Sequence, residues 1–174
     1  MSTKGSAFVM KKWIWIWLPV IVIAGLIFYS SSQPYEKQNV QPEIEKYVNL
    51  NKVEKSFEDV KTNYAGSEIS MERLGPASFI EFYLRKTAHF TVFFVLSFFL
   101  VRAFKWTGLS AFRSFTRALL LASIYAALDE THQMFTSNRS PHFEDVILDI
   151  IGAIAGAAVG SIIFQKRQTS HKEL

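Results

Sequence analysis

Five side chains able to hold or move a proton, His89, Asp129, Glu130, Asp145 and Asp149, lie inside or beside strongly apolar stretches of this sequence. Lys86, Gln133, Arg139 and Ser140 fall close to them. These types suit general acid–base chemistry on an anionic substrate. His89 or Glu130 would transfer the proton, Asp129 would orient it or offset charge, and Lys86 with Arg139 would hold a phosphate or carboxylate. A divalent ion among Asp129, Glu130, His89 and Asp145 is a variant of the same chemistry. The spacing matches no metal motif, however, so no metal ligand and no cofactor is assigned. The chain has no cysteine, which excludes a thiolate zinc site, a Cys nucleophile and a disulfide scaffold. No Ser or Thr nucleophile is marked either.

Helical spacing groups these residues on shared faces. Lys86 and His89 share one; Asp129, His132 and Gln133 share another, extended by Tyr125, with Glu130 turned about 100° away. Asp145, Asp149, Gly152, Gly156 and Gly160 form a single stripe. Glycines at four-residue spacing let a helix approach closely, so the stripe should face protein and carry Asp149 inward. That partner helix belongs either to the same chain or to a second copy, so a homo-oligomer through Gly152, Gly156 and Gly160 stays open. Several neighbours have simpler readings. Arg85 should snorkel to headgroups, Glu144 and Asp145 suit a helix N-terminus, and His142 and His171 look like loop and tail residues. Ser31, Ser32 and Gln33 are candidates to close the site.

The elements that must position these residues follow from composition. Of 174 residues, 49% are hydrophobic and 15% aromatic, yet residues 33 to 86 are polar, so the apolar content is concentrated in four runs. This is a membrane profile. Its pI near 9.3 does not point to nucleic acid, because the net charge is only +4 and the bases sit beside apolar runs. The expected fold is all-α: one domain over 1–174, a bundle of four transmembrane helices at about 13–30, 79–102, 115–135 and 145–165. A partly helical insert, 33–76, joins the first two. Trp13 to Tyr29 alone would span about 25 Å as helix, and the apolar character of the second helix reaches back toward Pro76, a good first-turn residue. Within the insert, Val53, Phe57, Val60 and Tyr64 recur at helical spacing, with Gly66 as the stop. That helix would lie on the membrane or cover the bundle; a solvated loop is the competing reading of the same segment.

Charge sets the expected orientation. Lys4, Lys11 and Lys12, then Arg102, Lys105, Arg113 and Arg117, then Lys166, Arg167 and Lys172 flank the spans on one side, against Glu173 alone. Both termini should therefore be cytoplasmic and the insert outside. A cleaved signal peptide competes for the first run, but its exit, Phe28-Tyr29-Ser30-Ser31-Ser32-Gln33-Pro34, lacks an Ala-x-Ala site, so retention is expected. Charges inside a span cost at least about 2.5 kcal/mol each at its centre, so they persist where they pair, face the bundle, or work. Here the embedded acids and histidines gather at the outer end.

Asp129-Glu130-Thr131-His132-Gln133, then Asn138-Arg139-Ser140, then Asp145-Val146-Ile147-Leu148-Asp149 and Gly152, resembles the VanZ-like family of bacterial integral membrane proteins. Arg85-Lys86-Thr87-Ala88-His89-Phe90 and Tyr29-Ser30-Ser31-Ser32-Gln33-Pro34 resemble it too, so the likeness reaches all four spans. Where the family often has Gly before the arginine of the outer turn, Asn138 stands here; Asn tolerates left-handed backbone, so the turn should survive. The resemblance implies a small multi-pass protein of the bacterial cell membrane. The family's namesake is associated with lowered susceptibility to teicoplanin, a glycopeptide acting on peptidoglycan precursors, and for this chain that link is analogy alone. The partners implied are membrane lipids and an envelope precursor or glycopeptide.

Three functions compete. One is an enzyme of the outer leaflet acting on a lipid-linked or other envelope precursor. Another is a protein that binds such a molecule without turnover. Ion or proton transport is disfavoured, because the cytoplasmic half offers only Ser97, Ser123 and Ser161 as a polar path.

Overall fold

A computed structural model describes residues 3–136 and 142–169, with side chains from Met10 to Thr136 and from His142 to Phe164. The order is α1 (Thr3–Ser31), a 3-10 turn (Tyr35–Lys37), α2 (Gln41–Tyr47), α3 (Leu50–Phe57), β1 (Lys61–Tyr64), β2 (Ser67–Ser70), α4 (Met71–Leu74), α5 (Pro76–Trp106), α6 (Ala111–Gln133) and α7 (Phe143–Thr169). Stretches of α1, α5, α6 and α7 are long and apolar enough to cross a membrane: Met10–Ser31, Pro76–Trp106, Ala111–Gln133 and Phe143–Phe164. The fold is the expected all-α membrane bundle, with a two-stranded hairpin as a minor addition.

The long helices run past the apolar runs, because flanking polar residues with good caps extend a helix without needing lipid. Pro76 opens α5 after Gly75, whose φ of +76° suits glycine and whose carbonyl accepts from Phe79. Ser110 caps α6 by accepting from the backbone N–H of Arg113. At 31 residues, α5 is about 46 Å long and exceeds a hydrocarbon core of about 30 Å.

The insert departs from expectation. Its helix stops at Phe57, and Lys61–Tyr64 pairs antiparallel with Ser67–Ser70. Val60 and Tyr64 therefore do not continue the face begun by Val53 and Phe57. The two linking residues, Ala65 and Gly66, both have positive φ (49° and 73°), the backbone of a tight two-residue hairpin turn. Helical spacing over eleven residues was coincidence; local turn chemistry decided. Ile69, Met71 and Phe79 form a small core with Val53, Tyr64, Leu74 and Phe82, which seats the insert on the first turns of α5. It covers the bundle.

The main core lies between α5, α6 and α7, and its tightest contact is between α5 and α7. These two run parallel. A side chain added at Gly152 or Gly156 would overlap the carbonyl oxygens of Phe90 and Phe94, and one at Gly160 would press on that of Phe98 at 3.2 Å. The glycine stripe is thus filled by α5 of the same chain and is not free to receive a second copy. On α6, Ser114, Ala118, Ala122 and Ala126 are fully buried at four-residue spacing, so this helix also packs through small residues. By contrast α1 is held more loosely, mostly against α5.

Candidate functional site

The α5–α7 register that places Phe90 over Gly152 also pairs the residues one and two turns before it. Lys86 on α5 forms an ion pair with Asp145 on α7. One turn deeper, His89 Nδ1 lies 3.4 Å from Asp149 Oδ1, an ion-pair separation slightly long for a hydrogen bond. Asp149 is 1% exposed, and among the described residues neither of its carboxyl oxygens has a hydrogen-bond partner. The aspartates do follow the glycines inward, as the stripe predicts.

Asp145 does more than favour a helix N-terminus. Besides Lys86 it accepts from the Tyr64 hydroxyl at 2.5 Å, so the hairpin is tied to the end of α7. Burial first, and then this carboxylate, hold the Tyr64 phenol well above its ordinary range, so it stays a donor at neutral pH. The Lys86 ammonium also lies 4.5 Å from the centre of the Tyr64 ring and 5.3 Å from that of Phe82.

From α6, Asp129 accepts from Ser31 Oγ at 2.6 Å and from Gln133 Nε2 at 2.9 Å. This joins α1 to the cluster. Ser31 therefore reaches the cluster, while the Ser32 hydroxyl donates to the Phe28 carbonyl and the Gln33 amide to that of Tyr29. Glu130 accepts from the backbone N–H of His142 at 2.6 Å through one oxygen, while the other is buried with no partner among the described residues. Glu130 is within electrostatic range of His89, Asp145 and Asp149, and Asp149 within range of Asp129. Residues on two faces of α6 thus reach the same cluster. His132 and Tyr125 turn to α1 instead: His132 stacks on Phe28 at 4.8 Å, and the Tyr125 hydroxyl, within electrostatic range of Asp129, donates to the Ala24 carbonyl, so both fasten α6 to α1. Arg139, Ser140 and the Asn138 position lie outside the described residues.

Arg85 corrects an expectation. Rather than snorkelling, it donates to Glu81 at 3.0 Å and lies 4.8 Å from the centre of the Tyr35 ring. Glu81 is buried and also accepts from Tyr35 and Gln41. Burial first and the bond to Glu81 next raise the Tyr35 phenol above its usual value, which keeps this latch protonated. Sequence reasoning does not mark Glu81, Tyr35 or Tyr64 as site residues. Only the Glu81–Arg85 spacing of four residues gave a local signal.

Two cavities meet at this cluster. The first, about 370 Å³, is roofed by Tyr35, Tyr64, Ser67 and Ile69 of the insert and walled by Lys86, Asp145 and His142. The second, about 290 Å³, lies between α1, α5 and α6 beside Asp129 and Ser31. Arg85, His89 and Gln133 line both. Among the described residues, no three His, Asp or Glu side chains are arranged to hold a metal ion, so the variant with an ion among Asp129, Glu130, His89 and Asp145 finds no geometric support.

The sequence matches the family described as VanZ/LLP1 over residues 16–164, which takes in most of the first span, the other three spans, the insert and the whole cluster. No curated protein and no solved structure matches the chain. With the match covering most of the sequence, this four-span membrane protein belongs to the VanZ/LLP1 family.

Proposed function

We propose that the polar end of the bundle faces the exterior of a bacterial cell and acts there on a lipid-linked or peptidoglycan precursor. The observation that carries this reading is the position of His89. Its ring borders both cavities and its Nδ1 faces the buried Asp149, which leaves Nε2 for a ligand. A carboxylate behind an imidazole fixes the ring and offsets its charge when it accepts a proton. Arg85 and Lys86 flank the ring and suit a phosphate or carboxylate, which would compete with Glu81 and Asp145 for them. The bases around the other end of the helices support an exterior placement of the site. Lowered glycopeptide susceptibility would follow from an altered precursor.

The test compares envelope lipids and precursors in cells carrying the native protein, His89→Gln or Asp149→Asn. A molecule altered only by the native protein is expected, with His89→Gln lowering its formation by about 10²–10⁴-fold. Equal amounts in all three strains would refute proton transfer at His89. A second reading, recognition without turnover, draws on the ion-paired state of both cations. It predicts that His89→Gln is tolerated while Arg85→Gln and Lys86→Met abolish the phenotype.

A further inference from the structure

The second cavity differs in kind from the first. Its upper rim is polar, with Ser31, Gln38, Arg85 and Asp129, while its lower wall is formed by Leu26 and Ile27 of α1 with Val92 and Phe93 of α5. Phe93 and Ile27 are buried, but Leu26 is 61% exposed on a membrane-spanning segment, so the cavity opens sideways toward lipid. The gap has a packing cause. Whereas α5 and α7 close on glycine, α1 meets α5 and α6 through bulky side chains and fewer contacts. A fissure with charge at the top, hydrocarbon walls below and an opening to the bilayer has the shape of an amphiphile.

We propose that this fissure receives the apolar chain of the same molecule whose anionic head occupies the insert-roofed cavity, with the group linking head to chain held at Arg85, His89 and Gln133. The inference rests on the reading of that cavity as a head-group site and adds where the chain lies. The three shared residues line both spaces, so the two adjoin there. The first cavity carries Lys86 and Asp145 and suits the charged head, whereas a chain passing between Leu26 and Val92 keeps apolar surroundings. The ligand class is therefore a lipid phosphate or carboxylate reached from within the leaflet rather than a water-soluble anion.

The experiment uses the full chain in lipid nanodiscs and a long-chain alkyl phosphate bearing a diazirine midway along its chain. After illumination, labelled positions are mapped by mass spectrometry, with and without excess inorganic phosphate. Labels concentrated on 26–27 and 92–93 are expected, reduced at least tenfold by Ala88→Trp or, from the opposite wall, by Leu26→Trp. Both positions are exposed, so neither change disturbs the core. Labels spread evenly over the lipid-facing surface of all four spans, insensitive to both tryptophans, would overturn the proposal. Labels confined to the fissure but indifferent to Arg85→Gln, Lys86→Met and inorganic phosphate would support the chain groove and overturn the head-group reading.

Discussion

The two ends of this bundle use the same kinds of residue to opposite effect. At one end Lys86, His89, Asp129, Glu130, Asp145 and Asp149 are buried or nearly so, with Lys86 facing Asp145, His89 facing Asp149, and Asp129 and Glu130 accepting from neutral donors. At the other, Lys11, Lys12 and Arg102 surround a cavity of about 480 Å³ together with the indoles of Trp15 and Trp106, and no acid among the described residues lines it. Trp15 and Trp106 are more than half exposed there, the placement of interfacial anchors. Burying a charge in a membrane costs several kcal/mol unless a partner offsets it. At the anchor end Lys11 and Lys12 avoid that cost by staying exposed, and Lys105 is the buried exception among the described residues. The paired end accepts it, and a protein that needed only to span a membrane would gain nothing by doing so.

Breaking one pair should separate the two ends most clearly. Lys86→Met leaves Asp145 buried with only the Tyr64 hydroxyl and is expected to cost about 3–5 kcal/mol of stability in micelle unfolding. Lys86→Met combined with Asp145→Leu should recover most of that loss. Lys11→Met at the anchor end should change stability by less than about 0.5 kcal/mol. A similar loss at both ends would remove the distinction.

A smaller effect tests what holds the pairs in register. Gly156→Leu forces side-chain volume onto the Phe94 carbonyl and should cost about 1–3 kcal/mol or more. Gly25→Leu, in α1 where nothing lies within 4 Å of the added carbon, should be nearly neutral. Equal tolerance would mean that the α5–α7 contact is not close.

The weakest perturbation concerns the roof. Tyr64→Phe removes the hydrogen bond to Asp145 and should cost about 1.5 kcal/mol. Because the folded-state phenol is held above its ordinary value of 10.0, the contribution linked to its proton is fully present below that pH and is lost as pH rises beyond it. Native and Tyr64→Phe proteins should therefore differ by a constant amount from neutral pH to about 10 and converge above it. A gap that first appeared below pH 7 would contradict this.

The sequence made the four spans readable because each is a long apolar run, and the glycine stripe fixed the rotation of α7 well enough to place Asp145 and Asp149 inward. What it could not provide were partners. Tyr64 meets Asp145, and Tyr35 meets Glu81, across dozens of intervening residues, where local spacing carries no information. Arg85 was misread for the same reason: its partner Glu81 is local, but the burial that makes the pair matter comes from the insert. The insert itself was misread because helical periodicity outweighed the turn residues Ala65 and Gly66.

The central claim is that the close, parallel packing of α5 on the glycines of α7 brings His89 onto Asp149. The most direct test is solid-state NMR on bilayer-embedded protein carrying ¹⁵N-histidine and ¹³C-aspartate, with His89 assigned by its loss in His89→Gln. A dipolar contact between the His89 ring and the Asp149 carboxyl, abolished by Gly156→Leu, is the predicted result. No such contact in the native protein, or one that survives Gly156→Leu unchanged, would contradict the account.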